Sequence, residues 1–573
     1  MRKTFLLLTA AMTACSSNPP AGQTEGPLQT GVLETEVSQS SNGMVASDSR
    51  LSAEVGARVL ANGGNAVDAA VATAFALAVV YPEAGNIGGG GFMVVRMVDG
   101  SSAALDFREK APLAATRDMY LDARGNVTDK SLTGHLASGV PGAVAGLWTA
   151  HQRFGSKPWA ELIAPAIEYA ERGFTVDAHM AGVVRSYESR LELFPASAAL
   201  FLPGGQPLAV GTTWKNPELA VVLRRIAQEG PKGFYEGETA RLIVEEMKRG
   251  GGLITLEDLR RYQAKWRDPI EFDYRGHRVI SMPPASSGGL TLALMANIAE
   301  GYDLKKMGWR TPESLHIVAE ASRRAFADRN HFLGDGDFVK VPRDQLLSEA
   351  YAARQRATIS PDRATPSSAI RPGLGEIAES DQTTHFSVVD ARGNAVGLTT
   401  TINELFGSAV TVTGAGFLLN DEMDDFTSKP GVPNLFGLVQ GEANAIAPEK
   451  RMLSAMTPLI VMDQSGRPLL ITGARGGPRI ISAVFQIISN VVDYDLPLDR
   501  ALGAPRIHHQ HLPDELYFEK EGLTPETRAA LEKLGHKVVE RSAYIGAAPT
   551  LLRRGNVWLG AADPRSGGAA VGH

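Results

Sequence analysis

The stretch Asp381-Gln382-Thr383-Thr384-His385-Phe386-Ser387 decides how this chain folds and works. It follows a loose segment that contains Pro and Ser, and it precedes an alternating strand pattern. A threonine hydroxyl needs a neighbouring base to act as a nucleophile, and a threonine at a new N-terminus carries one in its own α-amine. We therefore predict that the chain cuts itself between Gln382 and Thr383, and that Thr383 then becomes a catalytic nucleophile.

The residues after the proposed cut form the clearest strand pair in the sequence. Residues 385–389 and 395–402 are strand-like, and the polar and glycine residues between them are typical of a turn. The hairpin would return 399–403 to the side of Thr383, where a second hydroxyl can orient the nucleophile by hydrogen bonding. Thr401 is the best placed candidate. Threonine is also simply a good strand residue, and the hairpin taken alone favours that explanation.

Composition places the chain among globular proteins. It has 573 residues, of which 44% are hydrophobic and 21% charged, and these values are ordinary for a chain that buries a core. The formal net charge of -6 provides no electrostatic attraction to nucleic acid or to an anionic membrane surface. We therefore predict no nucleic-acid partner.

The first residues are typical of a targeting segment. Two basic residues precede the apolar stretch 5–14, which is too short to span a bilayer and is followed by Cys15, the single cysteine. The residues before Cys15 resemble a bacterial lipobox, and an ordinary signal peptide is the alternative. We predict a signal peptide over 1–14, a lipid on Cys15 and a flexible tether over 15–42. The expected location is the periplasm or cell envelope of a bacterium, with Cys15 as the only membrane attachment.

Beyond the tether, helix and strand signals alternate in the manner of a mixed α/β protein. We predict a helix over 66–80 opened by Asn65, and further helix starts at Asn216, Thr255 and Thr311, from capping residues and first-position prolines. Strand signals occur at 92–98, 279–281, 459–462 and 469–472.

Signatures of other enzyme classes are missing from the sequence, including the Gly-x-Ser-x-Gly elbow, the His-Glu-x-x-His helix and the lysine-containing phosphate loop. The run Gly88-Gly89-Gly90-Gly91 is better explained by close backbone packing against a site or a neighbouring strand. The run His508-His509-Gln510-His511 has no second ligand group, so a metal is not favoured there. We predict neither a metal nor a cofactor.

Several short motifs occur in a characteristic order along the chain. They are 85–93 (GNIGGGGFM), 106–109 (DFRE), 283–289 (PPASSGG), 383–387 (TTHFS), 423–426 (MDDF), 429–434 (KPGVPN), 476–477 (GG) and 563–565 (DPR). From about residue 43 onwards the chain resembles the γ-glutamyltranspeptidases, or glutathione hydrolases, of the N-terminal-nucleophile hydrolase superfamily. The resemblance implies an α/β (α+β) fold, a four-layer αββα sandwich built jointly by two chains. Self-cleavage would produce them: 43–382 as the large subunit and 383–573 as the small catalytic subunit.

The resemblance also implies a chemistry centred on Thr383. Its hydroxyl would first attack the carbonyl of Gln382 and later the γ-carbonyl of a glutamyl amide such as glutathione. The free α-amine, with an ordinary pKa of about 8, can shuttle the proton. Thr401 would orient the nucleophile, and the backbone amides of Gly476 and Gly477 match the oxyanion hole of the family. The γ-glutamyl ester would then pass to water or to an amino acid or dipeptide acceptor.

Substrate recognition in the family requires a cation and an anion, because a γ-glutamyl group carries a free α-carboxylate and a free α-ammonium. Arg108 matches the arginine that binds the carboxylate, with a guanidinium fork suited to bidentate pairing. Ser454 matches one of the serines that assist it. Asn403, Glu422 and Asp425 match the positions that hold the ammonium, although Asp425 taken alone is also compatible with an ordinary surface acid.

Two positions depart from the family pattern. Ala455 stands where a second serine is usual, so one hydroxyl donor to the carboxylate is lost, and we expect weaker carboxylate binding or a shifted donor preference. Phe436 stands in the stretch that resembles the lid loop, 430–441, where bacterial members often have tyrosine. Two alternatives therefore stay open. One is a glutaryl or cephalosporin acylase of the same superfamily, and the other is a non-catalytic envelope lipoprotein.

Overall fold

Two antiparallel β-sheets form the centre of the molecule. The computed structural model describes residues 31–85, 87–370, 383–435 and 437–573. The first sheet has seven strands in the order Ser38–Ser40, Val557–Ala561, Thr550–Arg554, Pro468–Thr472, Leu459–Met462, His277–Ser281 and Ile270–Tyr274. The second has seven in the order Ala569–Gly572, Met44–Ser47, Thr384–Val389, Ala395–Thr401, Gly90–Arg96, Ser102–Asp106 and Lys265–Arg267. Smaller sheets join Ile507–His508, Leu516–Glu519 and Val538–Arg541, and Phe174–Thr175 with Thr213–Trp214.

Helices cover both outer faces of the sheet pair. The α-helices that precede Thr383 are Arg50–Ala61, Ala66–Val80, Ala143–Phe154, Trp159–Arg172, Ala178–Ser186, Glu188–Leu191, Pro195–Phe201, Pro217–Glu229, Lys232–Tyr235, Gly237–Gly250, Leu256–Arg261, Gly288–Glu300, Leu304–Met307, Pro312–Phe332, Arg343–Leu347 and Glu349–Arg356. Those that follow it are Arg479–Val492, Leu498–Gly503 and Pro525–Lys533. Short 3-10 helices occur at Asp129–Ser131, His135–Ala137, Pro203–Gly205, Ser367–Ala369, Glu422–Asp425 and Glu442–Asn444.

The side chains of the second sheet alternate between two hydrophobic cores. In the strand Gly90–Arg96, Phe92 and Val94 pack with residues of the first sheet, whereas Met93 and Val95 pack with the helix Ala66–Val80. Successive strand residues point to opposite faces, so one sheet contributes to both cores. The order of layers is therefore helix, sheet, sheet, helix, which confirms the predicted αββα sandwich.

Local capping signals place several helix starts where the sequence predicts them. The helix Ala66–Val80 has the predicted bounds, and the Asn65 side chain accepts hydrogen bonds from the backbone N–H groups of its first turn. This helix is buried along its whole length, which explains why its sequence is apolar on every side. Asn216, Thr255 and Thr311 likewise cap the helices that follow them.

The strand predictions are confirmed with small shifts. Leu459–Met462 has the predicted bounds, and the strands predicted at 279–281 and 469–472 begin slightly earlier. The strand predicted at 92–98 runs instead from Gly90 to Arg96. The chain turns directly afterwards, where the N–H of Gly100, at φ +97°, donates to the carbonyl of Met97 at 3.0 Å.

The tether predicted over 15–42 extends too far towards the C-terminus. Ser38–Ser40 pairs antiparallel with residues 558–560, so the end of the stretch 15–42 belongs to the first sheet. The predicted signal peptide, Cys15, Gln382 and Phe436 lie outside the described residues. Within the described ranges, none of the helices combines the length and the apolar character that a membrane crossing requires.

Candidate active site

Thr383 lies at the start of the strand Thr384–Val389, beside the end of its hairpin partner. The register pairs Thr384 with Thr400, so Thr383 comes next to Thr401, as the hairpin predicts. Thr383 is only 4% exposed, and both threonines line one pocket. The Oγ1 of Thr401 accepts a hydrogen bond from the backbone N–H of Asn403 at 2.8 Å. Asn403 has a φ of +72°, a left-handed conformation that asparagine tolerates better than most residues.

The four-glycine run lets two strands approach near this site. A Cβ on Gly89 would lie 2.0 Å from the carbonyl oxygen of Thr401, and one on Gly91 would lie 2.3 Å from that of Thr399. Any side chain there would push the strand Ala395–Thr401 away from its partner. Close backbone packing is therefore confirmed as the reason for this glycine run.

Asp48 anchors the strand Thr384–Val389, and sequence reasoning missed it. The Oγ1 of Thr384 donates a hydrogen bond to Asp48 Oδ2 at 2.9 Å, directly beside Thr383. Burial raises the pKa of Asp48, although Arg475 and the hydrogen bond from Thr384 oppose this effect. No sequence signal pairs these residues, because Asp48 and Thr384 are 336 positions apart.

One pocket brings together most of the predicted site residues. The pocket is lined by Arg108, Arg329, Thr383, Thr401, Asn403, Glu422, Asp425, Leu438, Leu453, Ser454, Ala455, Met456, Gly477, Pro478 and Ile480. Gly476 directly precedes a lining residue. The pocket thus brings the hydroxyl groups of Thr383 and Thr401 together with cations and carboxylates.

Arg108 is the centre of a buried ion cluster in this pocket. Its Nη1 lies 2.5 Å from a Glu422 oxygen and 3.4 Å from a Glu109 oxygen, and its Nη2 donates to Asp425. Its Nε donates to the carbonyl of Met452 at 3.3 Å. The predicted carboxylate-binding arginine is therefore paired with two of the predicted ammonium-binding acids.

Burial strongly shifts the pKa values of the groups in this cluster. Burial alone would lower the pKa of Arg108, but Glu422, Asp425 and Glu109 raise it above its ordinary value. Burial raises the pKa of Glu109 to about 7 against the opposing effect of Arg108. Burial also raises the pKa values of Glu422 and Asp425, again opposed by Arg108. Such perturbed carboxyl groups in a pocket are typical of functional sites. Glu109 was missed as a functional group, although it follows Arg108 directly.

Gly476 and Gly477 adopt backbone conformations that favour glycine. Their φ values are +125° and +52°, and they precede the helix Arg479–Val492. Their carbonyl groups accept from the N–H groups of Arg479 and Ile480, whereas their own N–H groups make no hydrogen bond with the described residues. Two peptide donors near a helix N-terminus are suited to binding a developing oxyanion.

Backbone hydrogen bonds hold Ser454 in the pocket wall. Its N–H donates to the carbonyl of Ala285 at 2.9 Å, and its carbonyl accepts from the N–H of Ser287 at 2.7 Å. The motif 283–289 therefore holds the backbone of Ser454, the residue that matches the family serine. Ala455 is 8% exposed and lines the same pocket, to which it offers no hydroxyl group.

In the described part of the chain, one group of side chains has the spacing of metal ligands, namely His316, Glu320 and His536. Glu320 forms ion pairs with Arg323 and Arg324, and the rings of the two histidines hydrogen-bond to each other at 2.8 Å. These ion pairs and this hydrogen bond are sufficient to explain why the three side chains are buried together.

The fold is that of an N-terminal-nucleophile hydrolase. The family model described as Gamma-glutamyltranspeptidase matches residues 52–573. A glutathione hydrolase proenzyme of Escherichia coli is 47% identical, covering 98% of this chain and 96% of that protein. An acylase ACY 1 proenzyme of a Pseudomonas species is 38% identical and covers 90% of each protein. The chain therefore belongs to the γ-glutamyltranspeptidase family and is an enzyme.

A solved structure supports the same fold over almost the whole length. Cephalosporin acylase from Bacillus halodurans superposes with a TM-score of 0.83 at 28% identity. The match covers 98% of this chain and 99% of that chain. Relatives named as glutathione hydrolases and relatives named as acylases therefore share this fold, and the fold alone does not identify the donor substrate.

Proposed function

We propose that this enzyme transfers the γ-glutamyl group of glutathione and related amides to water or to an amino acid or dipeptide acceptor. The observation that carries the proposal is the pocket that Thr383 shares with Arg108 and Asp425. It supplies a nucleophile, a cation and an anion, which are the groups that a zwitterionic γ-glutamyl donor needs.

Maturation creates the nucleophile. The Thr383 hydroxyl attacks the carbonyl carbon of Gln382, the peptide C–N bond breaks, and an ester forms as the Thr383 amine is released. Water then hydrolyses the ester to a Gln382 carboxylate and the free hydroxyl. The products are a large subunit ending at Gln382 and a small subunit, 383–573, that begins with its own base.

Turnover repeats this chemistry on the donor. The α-amine of Thr383 accepts the hydroxyl proton while the oxygen attacks the γ-carbonyl of the donor. The N–H groups of Gly476 and Gly477 stabilise the oxyanion, and Thr401 orients the nucleophile. The leaving amine takes the proton, and a γ-glutamyl ester remains on Thr383. Water or an acceptor amine attacks the ester and restores the hydroxyl.

Charge selects the donor. The α-carboxylate of the donor pairs with Arg108 and the hydroxyl of Ser454, while its α-ammonium pairs with Asn403, Glu422 and Asp425. The ligand exchanges partners with the ion cluster that exists in the pocket, so Arg108 moves from protein carboxylates to the substrate carboxylate. The donor ammonium then pairs with the protein carboxylates that Arg108 has left.

Acylase activity is the second candidate, because Ala455 departs from the paired serines that are usual in the family and an acylase ACY 1 proenzyme is a relative. A glutaryl donor keeps the carboxylate and lacks the ammonium, so the pocket carboxylates give it no partner. Rates on γ-glutamyl-p-nitroanilide and glutaryl-p-nitroanilide, with and without glycylglycine, decide between the two. We expect the γ-glutamyl donor to be preferred and glycylglycine to accelerate its turnover. Equal rates on both donors would remove the case for γ-glutamyl specificity.

Self-cleavage is tested on the same preparation by denaturing electrophoresis. The wild type should give two fragments, the smaller being about one third of the chain, with Thr383 as its first residue. Thr383→Ala should remain a single chain and show no turnover, whereas Thr383→Ser, which keeps a hydroxyl, should still be cleaved. A single band in active wild-type material would contradict the proposal.

For the N-terminal segment, we propose export across the cytoplasmic membrane and attachment by a lipid on Cys15. The support is the lipobox-like sequence before this residue. Mass spectrometry of the large subunit should find a lipid on the N-terminal cysteine, and Cys15→Ser should release the enzyme from the membrane fraction. An unmodified large subunit that begins elsewhere would support an ordinary signal peptide instead.

A further inference from the structure

A second arginine, Arg329, lines the pocket beside Thr383, and the sequence motifs did not identify it. It is in the last turn of the helix Pro312–Phe332 and is 1% exposed. We propose that Arg329 binds the α-carboxylate of the γ-glutamyl donor through its Nη2 group, together with Arg108 and Ser454. This inference rests on the proposed function and adds a determinant of donor specificity.

Hydrogen bonds fix the guanidinium of Arg329 from one side only. Its Nε donates to the hydroxyl of Ser287 at 3.1 Å, and its Nη1 donates to the side-chain oxygens of Asn330 at 3.1 Å and Gln440 at 3.0 Å. All three acceptors are neutral. With the described residues, the Nη2 group makes no hydrogen bond, and no carboxylate lies within 4.0 Å of the guanidinium.

Other buried arginines in the described ranges are satisfied differently. Arg324 pairs with Glu320, and Arg565 pairs with Glu519. Arg310 has no carboxylate partner, but both of its terminal nitrogens donate to backbone carbonyl groups. A buried cation without such partners costs stability. Arg329 is therefore the pocket arginine whose remaining donors are left for a ligand.

The charge of Arg329 persists at neutral pH. Burial lowers its pKa to about 10, with a smaller opposing effect from the negative charge of Asp425. Arg108 is paired with Asp425 and Glu422, so its charge is already balanced before a substrate arrives. The donor ammonium takes over the carboxylates that Arg108 leaves, and Arg329 offers the donor carboxylate a second cation that has no ion pair of its own to break.

Arg329 also connects the two structures that hold the carboxylate subsite. Ser287, which accepts from Arg329, donates both its N–H and its hydroxyl to the carbonyl of Ser454. Gln440, which accepts from the Nη1 of Arg329, donates to the carbonyl of Asp425 at 3.3 Å. The guanidinium is thus held between the Ser454 wall and the acidic 3-10 helix, where a carboxylate would bind. It compensates for the hydroxyl that Ala455 lacks.

Three donors separate a substrate-binding role from a structural one. γ-Glutamyl-p-nitroanilide carries both charges, glutaryl-p-nitroanilide carries only the carboxylate, and 4-aminobutyryl-p-nitroanilide carries only the ammonium. In processed Arg329→Gln, we expect KM for the two carboxylate donors to rise roughly tenfold or more. KM for the 4-aminobutyryl donor should stay within about twofold of the wild type. The competitive inhibition constants of L-glutamate and of 4-aminobutanoate give the same comparison with ligands that are not themselves cleaved.

Arg329→Lys keeps the charge and loses the planar fork, so it should show a smaller rise that is again confined to the carboxylate ligands. Equal changes for all three donors, or none, would overturn the inference. Failure of both variants to be processed would assign Arg329 a structural role in the precursor and would also overturn the inference. A wild type that does not cleave the γ-glutamyl donor would instead defeat the proposed function itself.

Discussion

Arg108 and Asp425 form a direct ion pair within the pocket that Thr383 lines, although 317 positions separate them in the sequence. Part of the charge in the pocket is therefore neutralised by ion pairs that the proposed zwitterionic donor would separate. Binding exchanges one set of ion pairs for another, so the affinity depends on the difference between the two sets rather than on either alone.

Asp425→Asn tests the ammonium subsite. The amide keeps the shape of the side chain and removes its charge, while Arg108 keeps Glu422 as a partner. KM for the γ-glutamyl and 4-aminobutyryl donors should rise roughly tenfold or more, and KM for the glutaryl donor should change little or fall. Steady-state kinetics on the processed enzyme provide the measurement.

Asp424→Asn is the matched control for this prediction. Asp424 accepts from the hydroxyl of Ser131 and the N–H of Leu435, and it does not line the pocket. It should leave the ratio of KM values unchanged. A shift in that ratio as large as that of Asp425→Asn would show that Asp425 has no specific role.

Ala455→Ser should strengthen the carboxylate subsite. The new hydroxyl would face the pocket, and a hydrogen bond to a charged group corresponds to roughly a tenfold gain in affinity. We expect KM to fall for the γ-glutamyl and glutaryl donors and to stay constant for the 4-aminobutyryl donor. Ser454→Ala should act in the opposite direction on the same two donors. An equal response of all three donors would argue against a contact with the carboxylate.

Gly476→Ala should impair the oxyanion hole. A φ of +125° is unavailable to alanine without strain, so the peptide N–H groups of this segment would move. We expect kcat to fall by about 10²–10³-fold with a smaller change in KM, measured on whatever fraction is processed.

Gly466→Ala is the control for backbone strain alone. This glycine has a φ of +78° in an exposed turn, and a Cβ there would meet no atom within 4 Å. It should lower the free energy of unfolding by about 1 kcal/mol and leave kcat unchanged. A loss of kcat equal to that of Gly476→Ala would place the effect in global stability.

Glu109→Gln should change how stability depends on pH. The pKa of Glu109 in the folded protein, about 7, is above its ordinary value, owing to burial with smaller additions from Asp425 and Asp106 and opposition from Arg108. Its stabilising contribution is complete below about pH 4.5 and is lost as the pH rises through about 7. The Tm of the variant minus that of the wild type should therefore increase from pH 5 to pH 8. A constant difference would contradict the raised pKa.

Local sequence signals were sufficient for much of the fold. Asn65 and the apolar run after it specify the helix Ala66–Val80, because capping and burial act within a few residues. The hairpin after Thr383 follows from β-branched residues on both sides of a turn. Strand ends were predicted less well, as with Gly90–Arg96, because pairing partners and tight turns determine where a strand stops.

The sequence by itself predicted Thr383 as the nucleophile, and it determined the hairpin that follows Thr383 and, through the order of motifs, the family. Only the tertiary structure decided that Asp48 anchors the strand Thr384–Val389, that Glu109 belongs to the ion cluster and that Arg329 lines the pocket. The physical reason is that burial and charge pairing join residues hundreds of positions apart. Desolvation and Coulomb interactions depend on distance in space, and a one-dimensional pattern does not contain that distance.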